Sequence, residues 1–238
     1  MNNIKGIIFD YGGTLDTQGV HWFHIFREAY AQYLPEVAEA QLREAYVYGE
    51  RYLATHRVIE PADDFLAMLQ KKVAIQLSAL AIENAELNTD IANYCDGLVR
   101  RNMEQTRDVF ERLSARYPLV LVSNFYGNIR AVLHSYGIEH YFDAVIESAV
   151  VGIRKPDARI FGLGVEALGF SPEEVLVVGD SYDKDIVPAH SLGCRTVWLK
   201  GQGWSTAEED GQDCCADVVI ARLGELSEIG RASCRESV

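Results

Sequence analysis

Four polar residues of this sequence each follow a short apolar run, at the position where a buried strand would end. They are Asp10, Ser123, Lys155 and Asp180. Because parallel strands place their carboxyl ends at one edge of a sheet, we expect the four side chains to meet there despite their separation along the chain. For Asp10 taken alone, a helix-capping role is the alternative interpretation.

This set combines a carboxylate that could act as a nucleophile, a hydroxyl donor, a cation and a second carboxylate. Two neighbouring carboxylates repel each other unless a cation lies between them. Hard oxygen ligands without histidine or thiol favour Mg²⁺, and Lys155 would offset the remaining negative charge. Such groups serve phosphoryl transfer through an aspartyl-phosphate, in which a carboxylate attacks while metal and lysine stabilise the phosphoryl oxygens.

The elements that must position these residues are short strands separated by helices. Gly12 and Gly13 end the first apolar run two residues after Asp10. From Pro118 onward, strands and helices alternate, which predicts a parallel sheet with right-handed crossovers, and therefore an α/β, doubly wound fold. The predicted strands cover residues 4–10, 119–122, 143–146, 175–178, 196–199 and 218–220.

Between the first and second strands, the chain has no convincing strand pattern. Apolar residues recur there at helical spacing, and Pro35 ends the first helix. Asp63, Asp64 and Asn84 are candidate helix starts. The pattern predicts an all-helical insertion with helices at about 22–33, 36–55, 62–80 and 84–115.

Length and charge limit the function classes. With 238 residues, 48% of them hydrophobic, the chain can bury one core and a smaller appended unit. The net charge of −13 argues against nucleic acid or an anionic membrane as partner, and an anionic substrate would need a local cation. The sequence lacks a run of about eighteen apolar residues and a signal peptide, so we expect a cytoplasmic protein.

The cysteines and the C-terminal tail carry no predicted chemistry. The five cysteines show neither paired CxxC spacing nor an even count, so we expect reduced thiols that mostly pack. Residues 228–238, EIGRASCRESV, have no apolar period. We expect this tail to be non-native and to lie outside the fold.

Four sequence motifs occur in order: FDYGGTLD at 9–16, LVSN at 121–124, GIRKPD at 152–157 and VVGDSYDKD at 177–185. With these motifs the chain resembles the haloacid dehalogenase-like hydrolase superfamily over about residues 4–227. The resemblance implies a Rossmann-like core with strand order 5-4-1-2-3, formed by residues 1–17 and 101–227. It also implies a helical cap at 18–100.

The resemblance implies a metal site at the first and fourth motifs. Asp10 would be both the nucleophile and a Mg²⁺ ligand, and Asp180 would be a second ligand. The backbone carbonyl of Gly12 would complete the protein ligands. Asp185 would lie behind them or serve as an alternative acidic residue.

The second and third motifs would bind the phosphoryl group of a small phosphorylated substrate. Ser123 would donate a hydrogen bond to the transferring group, and Asn124 would lie beside it as a substrate-binding residue. Lys155 would bridge the phosphoryl group and the nucleophile. The implied catalytic residues are therefore Asp10, Ser123 and Lys155.

The chain departs from the phosphatases of the superfamily at Gly12, where those enzymes carry the aspartate that protonates the leaving group. Side chains alternate along an extended segment, so Tyr11 should point away from the site and cannot substitute. Asp16 could reach back as an acid, but a solvated turn residue is its expected role. We therefore expect a preference for good leaving groups.

Three functions remain open at this point. The first is a Mg²⁺-dependent hydrolase of a small phosphorylated metabolite. The second is a phosphonate or carbon–halogen hydrolase. The phosphonate-hydrolysing branch of the superfamily uses a cap lysine as a Schiff base, a role that Lys71 or Lys72 could fill. The third is a non-catalytic member that binds a phosphorylated ligand or a protein partner.

Overall fold

A six-stranded parallel sheet forms the centre of the fold. The computed structural model describes residues 3–204 and 215–226, so the tail at 228–238 lies outside the described residues. The strands follow the order β3-β2-β1-β4-β5-β6, and every neighbouring pair is parallel. This confirms the predicted α/β class and the order 5-4-1-2-3, to which β6 is added beside β5. The strands are β1 (Gly6–Phe9), β2 (Leu119–Ser123), β3 (Ala144–Glu147), β4 (Val175–Gly179), β5 (Arg195–Leu199) and β6 (Val218–Ile220).

Four helices separate β1 from β2, and the described residues after β2 contain four shorter ones. Two of the predicted starts are confirmed, because Asp64 accepts the Ala67 N–H and Asn84 accepts the N–H groups of Glu86 and Leu87. None of the described helices is long and apolar enough to cross a membrane. The helices are α1 (Trp22–Tyr33), α2 (Glu39–Thr55), α3 (Phe65–Ala79), α4 (Ala85–Ser114), α5 (Ile129–Ser135), α6 (Ser148–Val151), α7 (Arg159–Leu168) and α8 (Val187–Ser191).

The long helix α4 connects the inserted helices to the sheet. It runs for 30 residues, and the cap boundary predicted at residue 100 falls inside it. Beyond that point, Asn102 donates from Nδ2 to the Asp16 carbonyl (2.8 Å) and Thr106 donates from Oγ1 to the Leu15 carbonyl (3.1 Å). The second half of α4 therefore holds the loop that follows Asp10.

Both faces of the sheet are buried, which explains why its strands are continuously apolar. One face, including Phe9, packs against α1–α4, and the Phe9 and Phe110 rings meet edge to face with centroids 5.3 Å apart. The opposite face, including Ile8, packs against Phe161 and the rest of α7. With both faces covered, the strand ends are fixed in space, and so are the polar residues that follow them.

A close approach of two glycines joins the start of the insertion to the segment after β5. Gly19 has a φ of +91°, and a Cβ built there would lie 3.2 Å from the Gly201 Cα, whereas a Cβ on Gly201 would overlap the Gly19 carbonyl. Beside this contact, the His21 N–H donates to the Gln202 carbonyl (2.8 Å). His24 Nε2 lies 2.8 Å from the carbonyl of the next residue, Gly203. The two segments are thus held together over several residues.

Two of the five cysteines are buried thiols. Cys95 and Cys194 are free and buried, and Cys215 is free and half-buried. Cys214 and Cys234 lie outside the described residues. The thiols at 95 and 194 pack as the sequence predicts, and burial raises the pKa of Cys95 to about 12 and of Cys194 to about 11.

Candidate active site

Asp10 and Lys155 meet at the carboxyl edge of the sheet, together with Asp185. The Lys155 Nζ lies 2.6 Å from Asp10 Oδ1 and 2.7 Å from Asp185 Oδ1. All three residues are buried, with Lys155 only 4% exposed. A buried ammonium shared by two carboxylates makes charge-assisted hydrogen bonds that fix the position of each partner.

A third carboxylate, that of Asp180, joins this group. Oxygen atoms of Asp10, Asp180 and Asp185 lie within 4.8 Å of one another. Thr14, which sequence reasoning did not single out, lies between two of them: its Oγ1 is 3.1 Å from Asp10 Oδ2 and 2.9 Å from Asp180 Oδ1. The same Oγ1 accepts the Asp180 N–H at 3.0 Å. One hydroxyl proton can serve only one of the two carboxylates at a time.

The site carries more negative charge than Lys155 balances. Burial raises the pKa of Asp10 to about 6, and together with the Asp185 charge it outweighs the opposing effect of Lys155. The pKa of Asp180 is raised well above its usual range by burial, and then by the charges of Asp10 and Asp185. A divalent cation would offset this excess, and a set made only of oxygen donors fits Mg²⁺. Asp10 and Asp180 are the ligands expected from the sequence, and a carboxylate oxygen of Asp185 lies within the same 4.8 Å of theirs.

Ser123 and Asn124, the expected substrate-binding residues, lie at the end of β2 and directly after it. Asn124 lines the cavity, but its Nδ2 donates to the Lys155 carbonyl (3.1 Å) and its Oδ1 accepts the Lys155 N–H (2.9 Å). Both of its polar atoms therefore hold the backbone that carries the lysine. Ser123 is buried at the end of β2 and is not among the described residues that line the cavity. Its contact with a phosphoryl group stays a prediction.

A cavity of about 920 Å³ opens beside Asp10, between the sheet edge and helices α2 and α3. Lys155 and Asp180 line it at the sheet end. Aromatic side chains line its other walls, among them Trp22, Tyr46 and Trp204. The volume leaves room for a substrate considerably larger than a phosphoryl group.

The surroundings of the two glycines that follow Asp10 differ: a side chain would fit at Gly12 but not at Gly13. A Cβ built on Gly12 meets no atom within 4 Å, so the position of the absent aspartate is open to the cavity. Gly13 has a φ of +94°, and a Cβ there would overlap the Asp180 carboxylate. Tyr11 points away as predicted, because its buried ring packs edge to face against Phe125.

Asp16 is buried, and the expectation of a solvated turn residue is wrong. It is 1% exposed, and its Oδ1 accepts the Gly13 N–H (2.7 Å) while its Oδ2 accepts the Trp22 Nε1–H (2.8 Å). The residue is enclosed because Trp22, at the start of α1, covers the loop. Burial raises the pKa of Asp16 to about 7 against these hydrogen bonds. Since both oxygens accept N–H groups, its described contacts hold the Gly12–Gly13 loop in place.

The cavity wall also contains a triad, made of the buried Lys72 and the half-buried Glu50 and Tyr126, that the sequence did not predict as a unit. Lys72 Nζ lies 2.7 Å from Glu50 Oε1 and 3.0 Å from the Tyr126 hydroxyl, which donates to Glu50 Oε2 at 2.8 Å. Burial lowers the pKa of Lys72, but Glu50, Tyr126 and Tyr46 together raise it well above its usual range. The side chain therefore stays an ammonium. Lys71 instead binds Asp63 and is not among the described residues lining the cavity.

His21 is a further cavity residue that sequence reasoning missed. Its Nδ1 accepts the Phe23 N–H at the start of α1 (3.2 Å). Burial, followed by the charge of Lys184, lowers the pKa of His21 to about 4. The ring is therefore neutral at physiological pH, and with Nδ1 accepting, its proton lies on Nε2. In the sequence, the one local feature that marks His21 is its position directly before the apolar helical run that forms α1.

Parts of the chain are similar in sequence to proteins named as phosphatases. The chain is 37% identical to a glyceraldehyde 3-phosphate phosphatase of Methanopyrus kandleri over 95 residues. The matched stretch covers 40% of this chain and 41% of the relative. It is also 43% identical to a phosphoserine phosphatase of Thermus thermophilus over 70 residues, and this stretch covers 29% of this chain and 28% of the relative. The matches thus span less than half the length of these relatives.

The fold likeness extends over nearly the whole chain. The structure of the L-2-haloacid dehalogenase from Xanthobacter autotrophicus covers 96% of this chain and 98% of its own, with a TM-score of 0.61 and 18% identity. At that identity the likeness establishes the fold alone. The sequence pattern of the haloacid dehalogenase-like hydrolases matches residues 4–193. The chain therefore belongs to the haloacid dehalogenase-like hydrolase family.

Proposed function

We propose that the protein is a Mg²⁺-dependent hydrolase of a small phosphorylated metabolite, acting through an aspartyl-phosphate on Asp10. The observation that carries the proposal is the buried Lys155 ammonium between Asp10 and Asp185, with Asp180 alongside. The relatives named as phosphatases support the same reaction class.

In the proposed reaction, Asp10 attacks the phosphorus atom and the bond to the leaving-group oxygen breaks. Water then attacks the phosphorus of the aspartyl-phosphate, which releases phosphate and restores the carboxylate. Lys155 favours the ionised, nucleophilic form of Asp10 and balances charge on the phosphoryl oxygens. Mg²⁺, held by Asp10, Asp180 and the carbonyl of Gly12, would supply further positive charge toward those oxygens.

The open position at Gly12 limits the leaving groups. No carboxyl group stands where the superfamily's phosphatases place their acid, and Asp16 uses both oxygens to hold the neighbouring loop. The leaving oxygen must then depart as an anion or take its proton from water. Aryl and acyl phosphates tolerate this far better than alkyl phosphates.

The alternative functions have weaker support. A phosphonate hydrolase that forms a Schiff base needs a neutral amine, whereas Glu50 keeps Lys72 protonated. The likeness to a dehalogenase extends to the fold only. A non-catalytic protein that binds a phosphorylated ligand would have the same charged site but would release no phosphate. A measurement of phosphate release therefore distinguishes it from a hydrolase.

The test measures phosphate release from aryl, acyl and alkyl phosphates with Mg²⁺ and with a chelator. Asp10→Asn should abolish release, since an amide cannot attack phosphorus, and chelation should do the same in the unchanged protein. Asp108→Asn serves as the matched control, because Asp108 is exposed on α4 outside the cavity. Undiminished turnover by Asp10→Asn would remove the proposed intermediate, and undiminished turnover in chelator would remove the metal.

A further inference from the structure

The mouth of the cavity carries three exposed cationic side chains. Arg51 comes from α2, Arg154 precedes Lys155, and Lys184 lies in the helical turn Tyr182–Ile186. Within residues 3–204 and 215–226, none of the three has a hydrogen-bond or ion-pair partner for its side chain.

Among the described residues, most exposed cations elsewhere are paired, although Arg101 and Arg112 of α4 have no hydrogen-bond or ion-pair partner. Examples of pairs are Lys5 with Glu174 (2.6 Å), Arg159 with Asp157 (2.6 Å) and Arg195 with Asp217 (2.8 Å). The mouth of this cavity thus brings three unpaired cations together on a chain of net charge −13. Asp183 is the one exposed acid among the described residues that line the cavity, so the exposed charges at the mouth sum to a positive value.

These cations are available to a part of the substrate beyond the phosphoryl group. Lys155 is already committed to Asp10 and Asp185 at the sheet end. Arg51 approaches from helix α2 of the insertion, whereas Arg154 and Lys184 lie in segments that follow β3 and β4. Positive charge therefore surrounds the opening from both the helical insertion and the sheet edge.

The buried Lys72 does not serve the same purpose. Its ammonium lies 2.7 Å from Glu50, so the pair presents little net charge to the cavity. An anionic group on the substrate would find unbalanced positive charge at the mouth instead. Exposed, unpaired cations attract anions over about one Debye length, roughly 10 Å at 0.1 M salt.

We propose that the leaving group of the substrate carries its own negative charge, a carboxylate or a second phosphate, and that Arg51, Arg154 and Lys184 bind it. This inference rests on the proposed function, since it assumes that a phosphoryl group occupies the site at Asp10.

The test compares aryl phosphates that differ in one charge. para-Carboxyphenyl phosphate and para-phenylene bisphosphate carry the extra anion, and para-carbamoylphenyl phosphate matches the first in shape without the charge. We expect the unchanged protein, saturated with Mg²⁺, to show a higher kcat/KM for one or both charged substrates. Which of the two is favoured distinguishes a carboxylate from a phosphate.

Substitutions then assign the preference to the three cations. Arg51→Gln, Arg154→Gln and Lys184→Gln should each reduce the ratio of charged to neutral kcat/KM by about two- to fivefold, the range for exposed ion pairs. The triple variant should bring the ratio close to one. Arg101→Gln, which removes an exposed α4 cation outside the cavity, should leave the ratio unchanged.

The outcomes separate this inference from the proposed function. Phosphate release with equal kcat/KM for charged and neutral substrates would overturn the inference alone, as would a preference that survives the triple variant. No release from any of the three substrates with Mg²⁺ would overturn the proposed function, and the inference with it. A preference that declines on raising the salt concentration, in the unchanged protein but not in the triple variant, would support it.

Discussion

Gly12→Asp should give the enzyme the general acid that it lacks. The substitution is sterically allowed, because a Cβ at this position meets no atom within 4 Å and the residue lines the cavity. A new carboxyl there would lie near the charges of Asp10 and Asp16, and neighbouring carboxylates favour the protonated form that an acid needs. The structure therefore offers both the space and the electrostatic environment for the missing group.

The expected gain depends on the leaving group. General acid assistance is worth about 10²–10⁴ in rate. We expect the lower end, about 10²-fold in kcat/KM for an alkyl phosphate, because the added carboxylate also increases the repulsion at Asp10. For an aryl phosphate, whose leaving group departs without a proton, the gain should stay below about tenfold. The dependence of log(kcat/KM) on leaving-group pKa should therefore become shallower.

The assay measures phosphate release from a series of alkyl and aryl phosphates, with three control variants. Gly12→Asn has the same shape without the acid and should bring no alkyl gain. Gly13→Ala should abolish activity, because its Cβ would overlap Asp180. Asp16→Asn should leave the steep dependence of the unchanged protein in place, whatever its effect on the overall rate. Similar rates for alkyl and aryl phosphates in the unchanged protein, or equal losses for both in Gly12→Asp, would refute the reasoning.

Three further predictions concern the metal and the buried carboxyls. Asp180→Ala should lose Mg²⁺-dependent turnover, and retained activity with the same Mg²⁺ titration would contradict its role as a ligand. Thr14→Val should weaken Mg²⁺ affinity or activity about 10–100-fold, measured by titration, because its hydroxyl orients both Asp10 and Asp180. In chelator, the melting temperature should fall as the pH rises from 5 to 8. Burial raises the pKa of Asp10 to about 6 and of Asp16 to about 7, so the folded chain binds these protons more tightly than the unfolded chain. The bound protons therefore stabilise the fold fully below the ordinary carboxyl pKa of 3.8. This stabilisation is lost as the pH rises through the pKa values of the folded chain. A melting temperature that rises over the same range would count against this, and Mg²⁺ should reduce the loss at pH 8.

The sheet and part of the site follow from the sequence because they obey a local rule. Each strand is a short apolar run, and the residue after it must lie at the sheet edge. Asp10 and Asp180 are placed by this rule directly, whereas Lys155 lies in the loop between α6 and α7 and reaches the same edge from there. Ser123 shows the limit of the rule: it is the last residue of β2 itself, and alternation along the strand leaves the neighbouring Asn124 lining the cavity.

The rest of the site depends on contacts between distant elements. Asp16 is buried only because Trp22 from the next helix covers it. Its residue type and its neighbours in the sequence are those of a solvated turn residue, so the sequence alone does not distinguish the two. The triad of Glu50, Lys72 and Tyr126 joins α2, α3 and the loop after β2, and no spacing within one segment predicts that meeting. Such residues are found only when the packing of the inserted helices is known.

The two attachments of the inserted helices have a consequence for the kinetics of substrate binding. On one side the glycine contact at Gly19 and Gly201 and the His21 hydrogen bond tie the chain to the segment after β5, and on the other α4 continues without a break for 30 residues. Neither attachment resembles a free hinge, so the aromatic wall of the cavity is already in place before a ligand arrives. We therefore expect association to be a single step. The observed rate in a stopped-flow experiment should rise linearly with substrate concentration, without the plateau that a slow closure of the helices over the sheet would impose.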